Sequence, residues 1–281
     1  MRLLSVTLPA NHDLSLISDT HYGTLLRHDD GISTAVEMIG SGKNTWSCFL
    51  GDALEGIVID DKRYDCETVD KDMAEPLKQA ERVIRDFEAV KKKFLVWMLG
   101  NHEMKLLKFG NLARGIAERL GVPYGTYVSV LSVHDKHGLM YRIYLAHGFG
   151  AINSNLTDPF EREHSMQRTL KRKLFLKMGH CQIMAAGDSH KLLVKPPMPE
   201  LYMNGDNYLK QHYTNPKMYN NEYIHPDLRW YVSTGSFLKL YSDDGQTSSY
   251  SERGGYNPNI LGFPIVEVRD REIVNIRPVI L

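Results

Sequence analysis

The sequence predicts an α/β domain, and three observations carry that reading. Short apolar runs of strand length recur along the chain, and stretches with a helical apolar stripe lie between them. In addition, five of the strand-like runs end directly in polar residues, often through a glycine, as happens where sites form at the carboxyl edge of an open sheet.

Composition bounds the rest. Hydrophobic residues make up 42% and charged residues 24%, a globular mixture that excludes a disordered chain. Lys and Arg number 34 and so do Asp and Glu, and this zero balance argues against a protein whose main task is to coat nucleic acid or an anionic membrane. The 281 residues can bury a sizeable core without staples. No repeat, low-complexity tract or interdomain linker stands out, so the reading is one domain over 1–281. Cys48, Cys66 and Cys181 give no disulfide framework and no C-x-x-C metal spacing, which fits free thiols in a reducing compartment. The short apolar start before Pro9 does not fit a signal peptide, and no run has the length of a membrane span. The expectation is a soluble, cytoplasmic protein, with no membrane partner and an oligomeric state left open.

Along the chain, strands are expected over 3–8, 14–18, 46–50, 94–99, 127–133, 141–146, 183–186 and 230–233. A closing hairpin is expected over 264–269 and 273–280, turning at Asp270-Arg271, and Asp135-Lys136-His137-Gly138 is a second hairpin turn. Leu77, Ala80, Ile84, Phe87 and Val90 form one apolar helical stripe behind Pro76, and Lys91-Lys92-Lys93 suits a helix C-terminus. Leu112, Ile116 and Leu120 form another, with Asn111 as N-cap and Gly121 as stop. A third helix is expected over 159–178. The Pro-, Asn- and Tyr-rich segment 196–226 is too long for an ordinary connection, so it reads as an insertion or lid, or equally as a surface excursion.

The chemistry sits in the five strand-end segments. They are Ser18-Asp19-Thr20-His21, Gly51-Asp52-Ala53-Leu54-Glu55, Gly100-Asn101-His102-Glu103, His147-Gly148 and Gly187-Asp188-Ser189-His190. Asp19, His21, Asp52, Asn101, His147, Asp188 and His190 supply carboxylate, amide and imidazole donors. These are too many for one tetrahedral ion and suit two octahedral ions sharing a carboxylate. Nitrogen and oxygen donors without thiolate favour Mn²⁺, with Mg²⁺, Fe, Zn²⁺ and Ni²⁺ as alternatives.

The ordered set Asp-x-His, Gly-Asp-x-x-acid, Gly-Asn-His-Glu, His-Gly and Gly-x-x-His resembles the calcineurin-like metallophosphoesterases. The motifs span residues 19–190, and Thr234-Gly235-Ser236-Phe237 resembles a further segment of that family. The long spacing and the tail through Gly262-Phe263-Pro264 look most like the phage- and prophage-encoded members. The resemblance implies a four-layer α/β/β/α sandwich with two mixed β-sheets. It implies a first ion on Asp19, His21, Asp52 and His190, and a second on the bridging Asp52 with Asn101, His147 and Asp188. His102 would stand beside the ions and stabilise phosphoryl oxygens or protonate the leaving group, with Glu103 fixing its tautomer. Hydroxide held between the ions would attack phosphorus in line.

Two positions depart from the family pattern. Glu55 stands where Asp is usual, and Gly187-Asp188-Ser189-His190 replaces Gly-His-x-His, so that a neutral imidazole becomes a carboxylate. Three carboxylates instead of two would harden the second site toward Mn²⁺ or Mg²⁺. Gly179-His180-Cys181-Gln182 is a rival register, but it precedes its strand. The remaining histidines read as surface or loop residues, with His225 in the 196–226 segment a weak candidate for the site.

For substrate, Gly51 to Gly56 lacks the Arg with which the related protein phosphatases grip phosphate. The reading is a phosphodiesterase or nuclease on a nucleotide or nucleic-acid substrate, ahead of a small-molecule or protein phosphomonoesterase and of a non-catalytic metal-binding module. The basic run Arg168, Lys171, Arg172, Lys173 and Lys177 reads as a solvated helix face or a phosphate contact. Tyr202, Tyr208, Tyr213, Tyr219 and Tyr223 read as base-stacking or packing residues.

Overall fold

The structure is a computed structural model that describes residues 1–215, 222–245 and 247–281. Its elements in chain order are β1 (Arg2–Thr7), β2 (His12–Ile17), α1 (Asp29–Ser41), β3 (Thr45–Phe49), α2 (Pro76–Phe87), β4 (Phe94–Trp97), α3 (Asn101–Lys105), α4 (Leu112–Leu120), β5 (Val128–Asp135) and β6 (Gly138–Ala146). They continue through α5 (Pro159–Leu174), β7 (Ile183–Ala186), β8 (Leu192–Lys195), β9 (Leu201–Asn204), β10 (Lys210–Tyr213), β11 (Trp230–Thr234), α6 (Tyr250–Arg253), β12 (Gly262–Arg269) and β13 (Glu272–Ile280).

Two mixed sheets form. One runs β1-β5-β6-β7-β11-β8 and the other β13-β12-β2-β3-β4. Within the first, β6, β7 and β11 are parallel; within the second, β2, β3 and β4 are parallel. The carboxyl ends of three strands from each sheet therefore point the same way within that sheet.

Strand periodicity makes the layers. Leu14 and Leu16, Cys48 and Leu50, Ile143 and Leu145, Ile183 and Ala185 alternate into one core between the sheets. The opposite face of the second sheet offers Ile17, Phe49 and Trp97, which bury Ile32, Ala35 and Ile39 of α1, Ala80, Val83 and Phe87 of α2, and Ile116, Ala117 and Leu120 of α4. Phe49 and Trp97 stack with ring centroids 3.9 Å apart. The opposite face of the first sheet offers Tyr144, Ala146, Met184 and Tyr231 to Leu170 and Leu174 of α5. The result is the expected α/β/β/α sandwich.

Local expectations divide. Asn111 caps α4 by accepting the Arg114 N–H at 2.9 Å, and Gly121 ends it in the left-handed region at φ 69°. The Asp270-Arg271 hairpin turn forms with both residues at positive φ. In α2 the stripe shifts by one face: Leu77 is exposed, and Gln79 is buried with Ala80, Val83 and Phe87. Gln79 earns its burial by accepting the Gly56 N–H and donating to the Met73 carbonyl, both close to 3 Å. The third helix ends at Leu174, short of 178. Lys91, Lys92 and Lys93 stand in the last turn of the 3₁₀ helix Glu88–Lys93 that continues α2, as expected, and Lys93 also donates to the Gly42 carbonyl at 2.8 Å beside the C-terminus of α1.

Helix α1 has no counterpart in the expected elements, because Gly31 and Gly40 punctuate its Ile32-Ala35-Ile39 stripe. Segment 196–226 contains a β9–β10 hairpin, so that part of it is structured. Its return is anchored by Asp227, which pairs with Lys171 of α5 and accepts the Met198 N–H through its carbonyl. Tyr219 lies outside the described residues. Tyr202 stacks on His212, Tyr208 lies against the Lys210 ammonium and Tyr223 under the Arg229 guanidinium, all contacts of the packing kind.

Candidate metal centre and active site

The site forms where the ends of β2, β3, β4, β6, β7 and β11 meet. Their loops are sewn together by backbone hydrogen bonds: Asp19 N–H to the Gly51 carbonyl, Thr20 N–H to that of Asp52, Tyr22 N–H to that of Ala53, and Phe237 N–H to that of Asp19. Asp19, His21, Asp52, Asp188 and His190 all have φ between 49° and 63°. A non-glycine residue in that region is uncommon, and five in one cluster mark backbone strain held in place by the surrounding loops. Gly100 allows two of those loops to touch: a Cβ there would lie 2.1 Å from Asp52 N and Oδ1.

Three groups of donor atoms converge, each within 4.8 Å: Asp19, His21 and His190; Asp19, Asp52 and His147; His21, Asp52 and His102. His190 Nε2 is 3.3 Å from Asp19 Oδ1 and 3.3 Å from His21 Nε2. His147 Nε2 is 3.2 Å from Asp52 Oδ2 without hydrogen-bond alignment. Tautomers follow from the other ring atoms. His21 Nδ1 lies 2.7 Å from Glu55 Oε2 and His147 Nδ1 lies 2.8 Å from the Leu50 carbonyl. With both Nδ1–H groups donating outward, each Nε2 is the ring atom turned toward the cluster, where a bound ion would take the place of its proton.

Two buried atoms there, Asp19 Oδ1 and His147 Nε2, have no hydrogen-bond partner. Buried polar atoms of this kind are rare in folded proteins, and a divalent cation would satisfy both. The charges agree. Burial disfavours an ionised Asp19, but His190 and His21 outweigh it and hold the carboxyl well below its usual range. Burial also opposes a charged His147, yet Asp52 outweighs it and lifts the imidazole to about 10. The carboxylates thus draw positive charge into a dry site, which is what a metal-holding cluster requires.

Of the remaining expected residues, Asn101 and Asp188 lie at the edge of these groups. Asn101 donates from Nδ2 to Asp188 Oδ1 at 2.6 Å, leaving its carbonyl oxygen as the donor atom for an ion. Asp188 is in none of the three converging groups. Its Oδ1 lies 4.0 Å from His147 Nε2, its Oδ2 accepts the Gly150 N–H at 2.8 Å, and its own N–H donates to Asp19 Oδ2. His102 donates from Nδ1 to the Glu55 carbonyl and receives Asp52 Oδ1 on its backbone N–H at 2.9 Å.

Glu103 takes a different place from the one expected. It does not hold the His102 ring: its carboxylate accepts the backbone N–H groups of Asp52, Leu54 and Gly100 at 3.0–3.2 Å. In a five-residue helix the third residue naturally reaches back to the N-terminal amides, and here it also ties two strand-end loops together. Burial, with the nearby charge of Asp52, pushes its carboxyl up to about 7. The tautomer role expected of Glu103 belongs to the Glu55 main chain.

Three further side chains enter the site, of which Arg63 lies outside every motif. Ser236 Oγ donates to the Asp19 carbonyl at 3.3 Å and lies 3.4 Å from His190 Nδ1, which gives the Thr234-Gly235-Ser236-Phe237 segment a supporting place. Ser18 Oγ donates to Asp19 Oδ2. Arg63, from the long loop after β3, brings its Nη1 to 3.2 Å from His102 Nε2. The rival His180 lies within reach of the Arg142 and Arg229 charges and belongs to none of the converging groups. His225 is occupied beside Asp227. Of the basic run, Lys171 pairs with Asp227, Lys173 donates to the Phe149 carbonyl at 2.7 Å and Lys177 lies 5.0 Å from the Phe149 ring, so these three make structural contacts.

A site of imidazoles, carboxylates and an amide at the strand ends of a two-sheet sandwich defines a metal-dependent phosphoesterase class. The model of the calcineurin-like phosphoesterases matches residues 14–219, and the chain belongs to that family. Among curated proteins, no sequence matches it. Among solved structures it is similar to the NAD nucleotidase of Haemophilus influenzae, with 14% identity and a TM-score of 0.42 over 96% of this chain, but it spans only 50% of that one. It is similar to a conserved protein of Streptococcus pneumoniae TIGR4 described as a predicted phosphoesterase, with 12% identity and a TM-score of 0.32 over 97% of this chain and 99% of that one. Vps29 of Chaetomium thermophilum follows at 10% identity and a TM-score of 0.35, covering 96% of each. Chains this divergent do not share a substrate by that fact alone. No helix among the described residues is long and apolar enough to cross a membrane.

Proposed function

We propose that the chain hydrolyses phosphoesters with two divalent ions. The observation that carries this is the pair of orphaned buried atoms, Asp19 Oδ1 and His147 Nε2, within the converging donor groups. Asp19, His21, Asp52 and His190 would hold one ion. Asp52, Asn101, His147 and Asp188 would hold the second. Mn²⁺ suits this oxygen-rich set best, with Mg²⁺ next. The ions would supply Lewis acidity toward the phosphoryl oxygens and a nucleophile at neutral pH.

The protein's own contribution is orientation. Glu55 fixes His21, the Leu50 carbonyl fixes His147, and Glu103 holds the loops that carry Asp52 and Asn101. His102 converges with His21 and Asp52, and from there it would face the phosphoryl oxygens or the leaving group. The substrate we favour is a phosphodiester of a nucleotide or nucleic acid, because the second strand-end loop offers no guanidinium to grip a monoester dianion. The position of Arg63 beside His102 is the one observation that favours a monoesterase instead.

Bis-p-nitrophenyl phosphate and p-nitrophenyl phosphate, each assayed with Mn²⁺ after chelation and reloading, test both statements. Metal-dependent turnover of the diester in preference to the monoester supports the reading. Turnover of neither, nor of nucleotides or nucleic acid with any of the named ions, would leave a metal-binding module instead.

A further inference from the structure

We propose that Arg63 is a binding residue for a non-bridging phosphoryl oxygen, so that its guanidinium, set in place beside His102, forms the anion subsite of the phosphoesterase proposed above.

The loop after β3 carries Arg63 into the site, and both its ends are tied down. Gly56 N–H donates to Gln79 at 3.0 Å, Leu25 N–H to the Thr68 carbonyl at 2.8 Å and Asp70 N–H to the Gly23 carbonyl at 3.0 Å. Arg253 pairs with Asp65 in between. A tight turn, with Tyr64 N–H on the Asp61 carbonyl at 2.9 Å, sets Arg63 opposite the cluster.

The guanidinium is locked along one edge. Its Nε donates to Asp61 Oδ1 at 3.1 Å and its Nη2 to Asp61 Oδ2 at 2.9 Å, a bidentate fork. Nη1 projects beyond the fork to His102 Nε2 at 3.2 Å. Because His102 Nδ1 donates to the Glu55 carbonyl, Nε2 is an acceptor, and an arginine can only donate. Of the five N–H groups on a guanidinium, these contacts use three, leaving one on Nη1 and one on Nη2.

A surface arginine paired with an aspartate needs no second partner. This one is held rigid by Asp61, is half-buried, and feels the charges of Glu55 and Asp52 at the cluster. Preorganisation of this kind strengthens anion binding, since no rotamer freedom is lost when the ligand arrives. The ligand chemistry is a tetrahedral oxyanion whose other oxygens face the metal ligands: the phosphoryl group of a phosphoester, or inorganic phosphate as product. Arg63 lies eleven residues beyond Asp52, outside the Gly51–Gly56 motif, and a contact with one non-bridging oxygen suits a diester as well as a monoester.

The test titrates inorganic phosphate into Mn²⁺-loaded wild type, Arg63→Ala, Arg63→Lys and Asp61→Asn, with metal content and melting temperature measured alongside. We expect Arg63→Ala to bind phosphate about tenfold or more weakly, as for loss of a charge-assisted hydrogen bond, with metal content unchanged. Arg63→Lys should recover part of the affinity, Asp61→Asn should weaken it by releasing the fork, and added guanidinium should partly rescue Arg63→Ala. Equal phosphate affinity in wild type and Arg63→Ala overturns the role of Arg63 while leaving the phosphoesterase reading intact. Failure of metal-loaded wild type to bind phosphate or turn over any phosphoester overturns both. Should Arg63→Ala prove unstable, the same comparison between wild type and Arg63→Lys decides.

Discussion

The Nε2 atoms of His21 and His190 face each other across 3.3 Å, and Asp19 Oδ1 lies 3.3 Å from one and 3.8 Å from the other. With the Nδ1 of His21 engaged by Glu55, a divalent cation between the two imidazoles and the carboxylate would satisfy all three atoms at once. Mn²⁺ added to chelated protein should therefore raise its melting temperature, by about 2.7 kcal/mol of stabilisation at a hundredfold excess over Kd. His190→Ala should lose most of that gain in a thermal melt. An equal gain in the variant would show that this triad holds no ion.

Glu55 acts on the centre through His21. Replacing it by Ala frees the imidazole to rotate or to change tautomer, and metal affinity should fall about 10–100-fold. Glu55→Gln should do less harm, because its amide oxygen still accepts from Nδ1. Calorimetric titration of Mn²⁺ into the two variants checks the order, and an unchanged affinity in Glu55→Ala would show that the ring is positioned by other contacts.

Gly100→Ala probes the contact between loops. The added Cβ would meet Asp52 N and Oδ1 at 2.1 Å, so the two loops must separate, at a cost of about 1–3 kcal/mol and with loss of metal binding. Gly115→Ala is the control: it lies within α4 and nothing stands within 4 Å of its Cβ, so it should stabilise by about 0.5–1 kcal/mol. Urea unfolding of both variants should give opposite signs, and the same sign in both would refute the account of Gly100.

His12 predicts a pH effect remote from the centre. It is buried, with Nδ1 on the Pro9 carbonyl and Nε2 on the Tyr141 hydroxyl, both at 2.6 Å, and burial lowers its pKa from 6.5. Above 6.5 both folded and unfolded chains hold it neutral, so its contribution is complete. As pH falls below 6.5 the unfolded chain takes up the proton first, and stability drops through the window down to the folded pKa. The loss of unfolding free energy from about pH 7.5 to about pH 5.5 should be larger in wild type than in His12→Gln. Equal losses would remove His12 from the explanation.

Much of this was legible in the chain because the strands alternate with period two and end on glycine and polar residues. Leu14 and Leu16 against Ile17, or Ile143 and Leu145 against Tyr144, already declare which face meets which layer. The ligand atoms could be named because they follow their strands directly. What stayed hidden depends on contacts between distant segments. Glu103 looks like a partner for its neighbour His102, yet the short helix turns it back to the amides of Gly100, Asp52 and Leu54. Arg63 sits in an acidic loop without a motif, and only folding carries it to His102. Gln79 replaces Leu77 on the buried face of α2 because the Gly56 amide and Met73 carbonyl need a polar partner there.

Counting bound Mn²⁺ per chain in wild type and Asp52→Asn, by elemental analysis after dialysis at saturating metal, tests the dinuclear centre most directly. The account predicts two ions in wild type and a lower count in Asp52→Asn, with phosphoester turnover lost in parallel. One ion or none in wild type, or two ions and full turnover retained in Asp52→Asn, would contradict it.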